Sequence, residues 1–189
     1  MAERIELAGG ALTAGAAGAG ARTYQAVLIR PGEWKGKGIR CRPEVLEAAA
    51  GLFDGAASFL NPPAAQPGDH GSPGLERLLG VTENARWDPE QQAIVADYRL
   101  AETEAAGWFG RLVDGWLSAR AAGRRVPEIG LSAVPWVQLG PAGPDGMRDV
   151  LEIVGLDQVD AVYRPAAGGE FVRIPNGVED GAGEVHMGE

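Results

Sequence analysis

The sequence predicts an α+β fold, a mostly antiparallel β-barrel or β-sheet with flanking helices. Two observations lead to this fold class. Several strand-like runs are joined by short, turn-rich connections of hairpin length, and only two segments carry apolar residues at helical spacing. Because these strands and helices do not alternate regularly, the parallel sheet of a βαβ protein is not expected.

The N-terminal part of the chain predicts a flexible leader followed by a strand. Residues 8–21 are almost entirely Ala and Gly and offer no large apolar side chain whose burial could offset the entropy of ordering them. The folded part is expected to begin with a β-rich run at 23–30, which ends at Pro31. We therefore expect residues 1–22 to form a leader and the first strand to follow it directly.

The first predicted helix starts at Pro43, since proline is tolerated in the first turn, and stops at Gly55. Its apolar residues recur at helical spacing: Val45, Leu46, Ala49, Leu52 and Phe53. The next segment, 61–74, holds four of the 13 prolines together with His70. It predicts a loop without regular structure.

A hairpin and a second helix are predicted next. The runs 81–87 and 93–100 are strand-like and are separated by a short polar connection, so they are expected to pair antiparallel. Thr103 is a candidate N-cap for the second helix. One face of that helix carries most of its large apolar residues: Trp108, Phe109, Leu112, Val113, Trp116 and Leu117.

Two further strands, 129–137 and 149–163, are linked by the turn-rich segment 140–146. The Gly- and Glu-rich end of the sequence lacks a core-forming pattern. The domain organisation expected from these patterns is one folded domain at 23–174 and a flexible tail at 175–189.

Composition excludes several classes of protein. A chain of 189 residues can bury a sufficient core in one domain. The net charge of -9 argues against a nucleic-acid-binding function, which needs clustered Lys and Arg. No apolar run approaches the roughly 20 residues of a membrane span, and no signal peptide is evident. Cys41 is the only cysteine, which rules out an intramolecular disulfide and suits a reducing compartment.

Elimination among the few histidines and serines suggests a nucleophile and a base. His186 belongs to the expected tail, so His70 is the histidine available for chemistry. Three of the four serines are poor candidates because of their settings, in a small-residue stretch, a proline-rich turn and a helix surface: Ser58, Ser72 and Ser118. Ser132 remains, and a serine hydroxyl needs an adjacent base such as His70 to become a nucleophile.

The surroundings of Ser132 and the need for an orienting carboxylate complete the candidate site. The small neighbours Gly130 and Ala133 are expected to leave room for a substrate backbone and for main-chain N–H groups that face an oxyanion. Strand alternation sets Asp160 on one face beside Gln158 and Val162, with Val159 and Ala161 on the other. Asp160 is the favoured partner of the base, with Asp157 as the alternative.

The order of several short segments resembles a known family. These are Tyr24 to Ile29, Trp34 to Gly38, Asp69-His70, Leu79 to Val81, Ile129 to Ser132, and Val159 to Gly169. Over residues 23 to 174 they resemble the prohead (capsid maturation) serine proteases of tailed phages, which are related to the herpesvirus assembly proteases. The resemblance implies a herpesvirus-protease-like fold. It also implies Ser132 as nucleophile, His70 as base and Asp160 as the third member of the triad.

The resemblance further implies a serine endopeptidase that cuts scaffold and capsid-protein segments, and commonly itself, inside the immature shell. The expected partners are the major capsid protein and the scaffold protein as substrates, with a possible homodimer and with neither nucleic acid nor membrane. The expected location is the host cytoplasm, inside the assembling prohead. No cofactor and no metal are expected, since one cysteine and two distant histidines do not form a typical zinc site.

Two alternatives stay open at this point. Cys41 precedes the start of the first helix, where a helix N-terminus can lower a thiol pKa, so a Cys41–His70 protease is a rival within the enzyme class. The rival from another class is a catalytically inactive capsid-assembly or scaffold-like protein with the same fold.

Overall fold

The computed structural model describes residues 22–60 and 74–173. The predicted leader, the tail and the loop around His70 fall almost entirely outside these ranges. The strands of the described chain are β1 (Thr23–Ile29), β2 (Gly32–Trp34), β3 (Ile39–Cys41), β4 (Ala57–Phe59), β5 (Leu78–Asp88), β6 (Ala93–Leu100), β7 (Ile129–Ala142), β8 (Arg148–Tyr163) and β9 (Glu170–Arg173). The α-helices are α1 (Pro43–Ala49) and α2 (Glu104–Ala121), and 3-10 turns span Ala50–Phe53 and Leu75–Arg77.

The strands form two open sheets. One has the order β4-β5-β6-β1-β9 and the other the order β2-β3-β8-β7. Neighbouring strands are antiparallel except β3 and β8, which pair in parallel. The predicted β-rich α+β class is confirmed, and of the two predicted forms, barrel or sheet, the chain adopts open sheets. No helix of the described chain is long and apolar enough to span a membrane.

The long helices and strands are found at the positions predicted from sequence. The β5–β6 hairpin pairs antiparallel as expected, and its connection is held by Asp88, whose carboxylate accepts from the backbone N–H groups of Glu90 and Gln91. Thr103 caps α2 by accepting from the backbone N–H of Ala106 at 3.1 Å. The helix from Pro43 changes to a 3-10 turn before Gly55, which reverses the chain at a φ of +76°.

An aromatic cluster joins α2 to the five-stranded sheet. The ring of Phe171 from β9 lies edge-on to Tyr24, Tyr98 and Phe109, with ring centroids 5.4–5.8 Å apart. The Tyr24 hydroxyl donates to the carbonyl of Gly110 at 3.1 Å, which ties β1 to the helix. The fully buried rings Tyr24, Tyr98 and Phe171 thus fix the position of the sheet against α2.

The β7–β8 hairpin is the longest pairing in the described chain, and it is irregular. Its register shifts at four places between Ala133 and Ala142. One of these shifts lies between the pairs Ala133–Val159 and Pro135–Leu156, so β8 has two residues opposite the single Val134. An extra residue of this kind is a β-bulge, which bends a strand and redirects nearby side chains.

Candidate active site

Ser132 and Asp160 face each other across the β7–β8 hairpin. They are direct partners in the antiparallel register, between the pairs Leu131–Ala161 and Ala133–Val159. Side chains of directly paired residues stand on the same face of a sheet, with Cβ atoms about 4.5–5.5 Å apart. Two residues that are 28 positions apart in sequence are therefore brought side by side.

The face that carries this pair is opposite to the hydrophobic core. Leu131, Val159 and Ala161 point into the core and are nearly fully buried. Asp160 alternates with them yet is only 2% exposed, whereas Ser132 is half-buried. The regular pairing at Val159, Asp160 and Ala161 agrees with the predicted alternation over these three residues, and the burial of Asp160 shows that it is not a solvated strand-end carboxylate.

Gln158 holds the Asp160 carboxylate. Its side-chain Nε2 donates to both carboxylate oxygens, at 3.0 Å to Oδ1 and 2.8 Å to Oδ2. Residues two positions apart on a strand share a face, so the sequence pattern already set Gln158 beside Asp160. That pattern gave Gln158 no role, because alternation predicts a shared face and not a hydrogen bond.

His70 lies outside the described residues, so its position relative to Ser132 and Asp160 stays a prediction. The described chain does fix the point at which the segment carrying it begins. Leu60 forms a parallel β-bridge with Ala161, the residue after Asp160. The backbone N–H of Leu60 also donates to the carbonyl of Arg77 at 3.0 Å, so Leu60 lies between β8 and the chain that follows residues 61–73.

Gly130 has a different role from the one expected from sequence. A Cβ placed on Gly130 would lie 2.1 Å from the carbonyl oxygen of Gly169, far inside van der Waals contact. The backbone N–H of Leu131 donates to that same oxygen at 3.3 Å. The space that the glycine leaves is thus filled by this chain's own backbone and is not open to a substrate.

A groove of about 450 Å³, lined by both basic and acidic side chains, adjoins the start of β7. Ile129 and Gly169 form part of its wall, and the Gly169 backbone contacts Leu131, the residue before Ser132. Arg30 and Arg120 also line it. Further lining residues are Lys35, Trp116, Val126, Pro127, Glu128, Pro165, Gly168 and Glu170. Glu170 bridges the two arginines, at 3.0 Å from Arg30 Nη2 and 2.9 Å from Arg120 Nη1.

The alternative carboxylate, Asp157, is in a different environment. It is exposed, and its Oδ1 accepts a hydrogen bond from the indole Nε1 of Trp136 at 2.7 Å. Trp136 itself is 61% exposed and pairs with Gly155, farther along the hairpin from Ser132. Asp157 therefore takes part in a surface contact at the β-bulge and is not the direct partner of Ser132.

The other described serines have structural surroundings. Ser58 is fully buried, and its hydroxyl oxygen accepts from the Tyr98 hydroxyl at 2.7 Å. Ser118 is exposed on α2. Ser72 lies outside the described residues.

Cys41 does not have the environment of a nucleophile. It is 1% exposed at the end of β3, and burial raises the pKa of its thiol from 9.0 to about 11, although the neighbouring Arg42 charge acts in the opposite direction. The sequence suggested that the start of α1 could lower this pKa. That suggestion is wrong, because loss of hydration outweighs the favourable charge, and the thiol stays protonated at neutral pH.

The two open sheets and their helices form a fold like that of the phage prohead proteases. One solved structure that it resembles is that of the bacteriophage T4 capsid assembly protease, gp21. The two chains are 16% identical, the match covers 76% of this chain and 82% of the T4 protein, and the TM-score is 0.50. An identity this low supports a shared fold and does not extend to individual residues. No protein-family model matches the sequence, and no curated protein matches it.

Proposed function

We propose that this chain is a serine endopeptidase of capsid maturation in tailed phages, with Ser132 as nucleophile, His70 as general base and Asp160 as the carboxylate that orients the base. Its substrates are segments of the scaffold and major capsid proteins, and it cuts itself. It acts in the host cytoplasm inside the assembling prohead, with a homodimer as the proposed assembly.

The reaction is acyl transfer. Ser132 Oγ attacks the carbonyl carbon of a peptide bond while the His70 imidazole takes the hydroxyl proton. That proton passes to the leaving amine as the C–N bond breaks, and an acyl ester remains on Ser132. A water molecule, deprotonated by His70, then hydrolyses the ester and restores the free serine. The negative charge of Asp160 stabilises the imidazolium in both halves of the cycle.

The observation that carries this proposal is the direct pairing of Ser132 with Asp160 on the face opposite to the core. A triad needs a hydroxyl and a carboxylate spaced so that one imidazole can hydrogen-bond to both through its two nitrogens. The side chains of a direct antiparallel pair leave the same face of a sheet with Cβ atoms about 4.5–5.5 Å apart, close enough for both to extend toward one imidazole. The burial of Asp160 also supports the proposal, because a carboxylate removed from water stabilises a nearby imidazolium more strongly than an exposed carboxylate does.

The same geometry supports Asp160 over Asp157 as the third member. Asp157 is exposed and bonded to Trp136, and it has no direct pairing with Ser132. The groove at the start of β7 is the proposed path of the substrate chain toward Ser132.

The test is co-expression of the chain with the major capsid and scaffold proteins of the same phage, with new protein termini identified by mass spectrometry. Ser132→Ala is expected to abolish every new terminus, because alanine cannot form the acyl ester. Ser118→Ala is the matched control. It makes the same substitution on an exposed face of α2, and alanine is a good helix former, so processing should continue.

Two results would contradict the proposal. Processing that continues in the Ser132→Ala chain would eliminate Ser132 as nucleophile. Co-purification of the unaltered chain with capsid protein, with no new termini in either, would favour the inactive capsid-assembly protein instead.

A further inference from the structure

The contact between Gln158 and Asp160 is more specific than neighbouring positions on a strand require. A single amide nitrogen lies within 3.0 Å of both oxygens of one carboxylate. The nitrogen carries two N–H donors, whereas the amide oxygen is an acceptor that a carboxylate would repel. This geometry therefore fits an ionised Asp160.

The contact between Gln158 and Asp160 lies next to the β-bulge. In regular pairing, side chains two positions apart on a strand extend outward side by side. Here β8 has two residues, Asp157 and Gln158, opposite the single Val134. Such a bulge bends the strand and changes the direction of nearby side chains. Gln158 stands at the bulge and Asp160 just beyond it, where the pairing is regular again.

The surroundings of Asp160 make donated hydrogen bonds necessary. A carboxylate that is 2% exposed has lost most of its hydration, and its charged form needs hydrogen-bond donors to compensate. Among described polar groups, Ser132 faces it from β7 and Gln158 from its own strand. Tyr98 of β6 is near enough that the Asp160 charge adds to burial, the larger cause, in raising the tyrosine pKa. Helix α1, which also packs on β8, holds its acidic residues in solvent: Glu44 and Glu47.

We propose that Gln158 is a positioning residue, which keeps the Asp160 carboxylate ionised and fixed in orientation on the face it shares with Ser132. This inference rests on the proposed peptidase function. Gln158 touches neither the substrate nor Ser132 in this role and acts through Asp160 alone. Its loss is expected to lower the rate of acyl transfer while the fold is retained.

Two variants separate the hydrogen bond from the shape of the side chain. Gln158→Met keeps the length of the side chain and removes the N–H donor. Gln158→Glu keeps the shape of the side chain but places a second carboxylate next to that of Asp160. The matched control is Gln138→Met, an exposed glutamine of β7 that pairs with Glu152. Thermal melting of each full-length variant checks that it is folded.

The first measurement is the titration of the Asp160 carboxyl by ¹³C NMR, which needs no catalytic activity. Loss of donors to the charged form should move this titration to higher pH, by about one unit in Gln158→Met and further in Gln158→Glu. The second is the rate at which a fluorophosphonate probe modifies Ser132 at neutral pH. We expect the labelling rate of Gln158→Met to fall about tenfold, which corresponds to the free energy of one hydrogen bond to a charged group. Gln138→Met should change neither quantity.

The outcomes of these two measurements either support or overturn the proposed role of Gln158. An Asp160 titration that is unmoved in both folded Gln158 variants would overturn it. A titration that moves while the labelling rate is unchanged would show a structural contact without a catalytic role. If the probe does not modify Ser132 in the unaltered chain, the proposed function fails, and the inference about catalysis fails with it.

Discussion

Replacing Gly169 with alanine tests the close approach of backbones beside the candidate active site. The added Cβ would lie 2.2 Å from the carbonyl oxygen of Leu131 and 2.8 Å from that of Leu28, where ordinary contacts begin at 3.4 Å. Both neighbours are backbone atoms of strands, so no side chain can rotate away. The Gly169 segment must move by about 1 Å away from β7 and from β1 together.

The expected cost follows from two terms. Overpacking in a well-packed interior costs about 1–3 kcal/mol. The hydrogen bond from the Leu131 N–H to the Gly169 carbonyl, at 3.3 Å, is weakened at the cost of about 1 kcal/mol. The free energy of unfolding should therefore fall by about 2–4 kcal/mol. For a domain of this size, the melting temperature should fall by about 5–15 °C.

Thermal and urea unfolding, followed by circular dichroism, measure this change. Gly115→Ala is the matched control, since a Cβ on this helical glycine meets nothing within 4 Å. It should stabilise the chain by up to about 1 kcal/mol, because alanine is the better helix former. A Gly169→Ala chain that melts within 1–2 °C of the unaltered chain would refute the reasoning from backbone approach.

Three further predictions concern the core, the buried thiol and α2. Ser58→Ala should lower the free energy of unfolding, measured by urea denaturation, by about 1–3 kcal/mol, because the buried Tyr98 hydroxyl loses its acceptor. An unchanged free energy of unfolding would contradict this prediction. Cys41 should resist iodoacetamide in the folded chain and react only after denaturation. Because burial raises the pKa of its thiol in the folded chain, the neutral thiol should stabilise the fold below pH 9. This contribution to the free energy of unfolding should be lost as the pH rises toward about 11. Rapid alkylation of the native chain at neutral pH would disprove the thiol's burial. Thr103→Ala should cost about 1 kcal/mol through the lost N-cap of α2, and Thr103→Ser should recover most of it in the same unfolding assay.

The long elements could be predicted from sequence because each carries its own periodic pattern. The runs that became β1, β5, β6, β7, β8 and α2 are seven residues or longer, enough for alternation or helical spacing to be visible. The strands β2, β3, β4 and β9 have three or four residues each and were not predicted. Strands this short are formed by pairing with distant partners, which local sequence does not encode.

The candidate site could likewise be predicted only in part. Alternation was enough to set Asp160 and Gln158 on one face of β8, but the partner of Ser132 depends on the bulges. If the pairing ran regularly from Ala142 opposite Arg148, Ser132 would face Gln158 and not Asp160. The register shifts move the carboxylate into that position, and no sequence motif announces them. The role of Gly130 could not be predicted for a related reason, since the backbone that packs against it belongs to Gly169, 39 residues away in sequence.

The most direct test of the proposed triad is to find which residue a fluorophosphonate probe modifies, and whether the modification depends on its two proposed partners. The account predicts a single adduct, mapped by peptide mass spectrometry to Ser132, and its loss or strong slowing in His70→Ala and Asp160→Ala chains that still fold. Modification of another serine, or of Ser132 at an unchanged rate without His70, would contradict it.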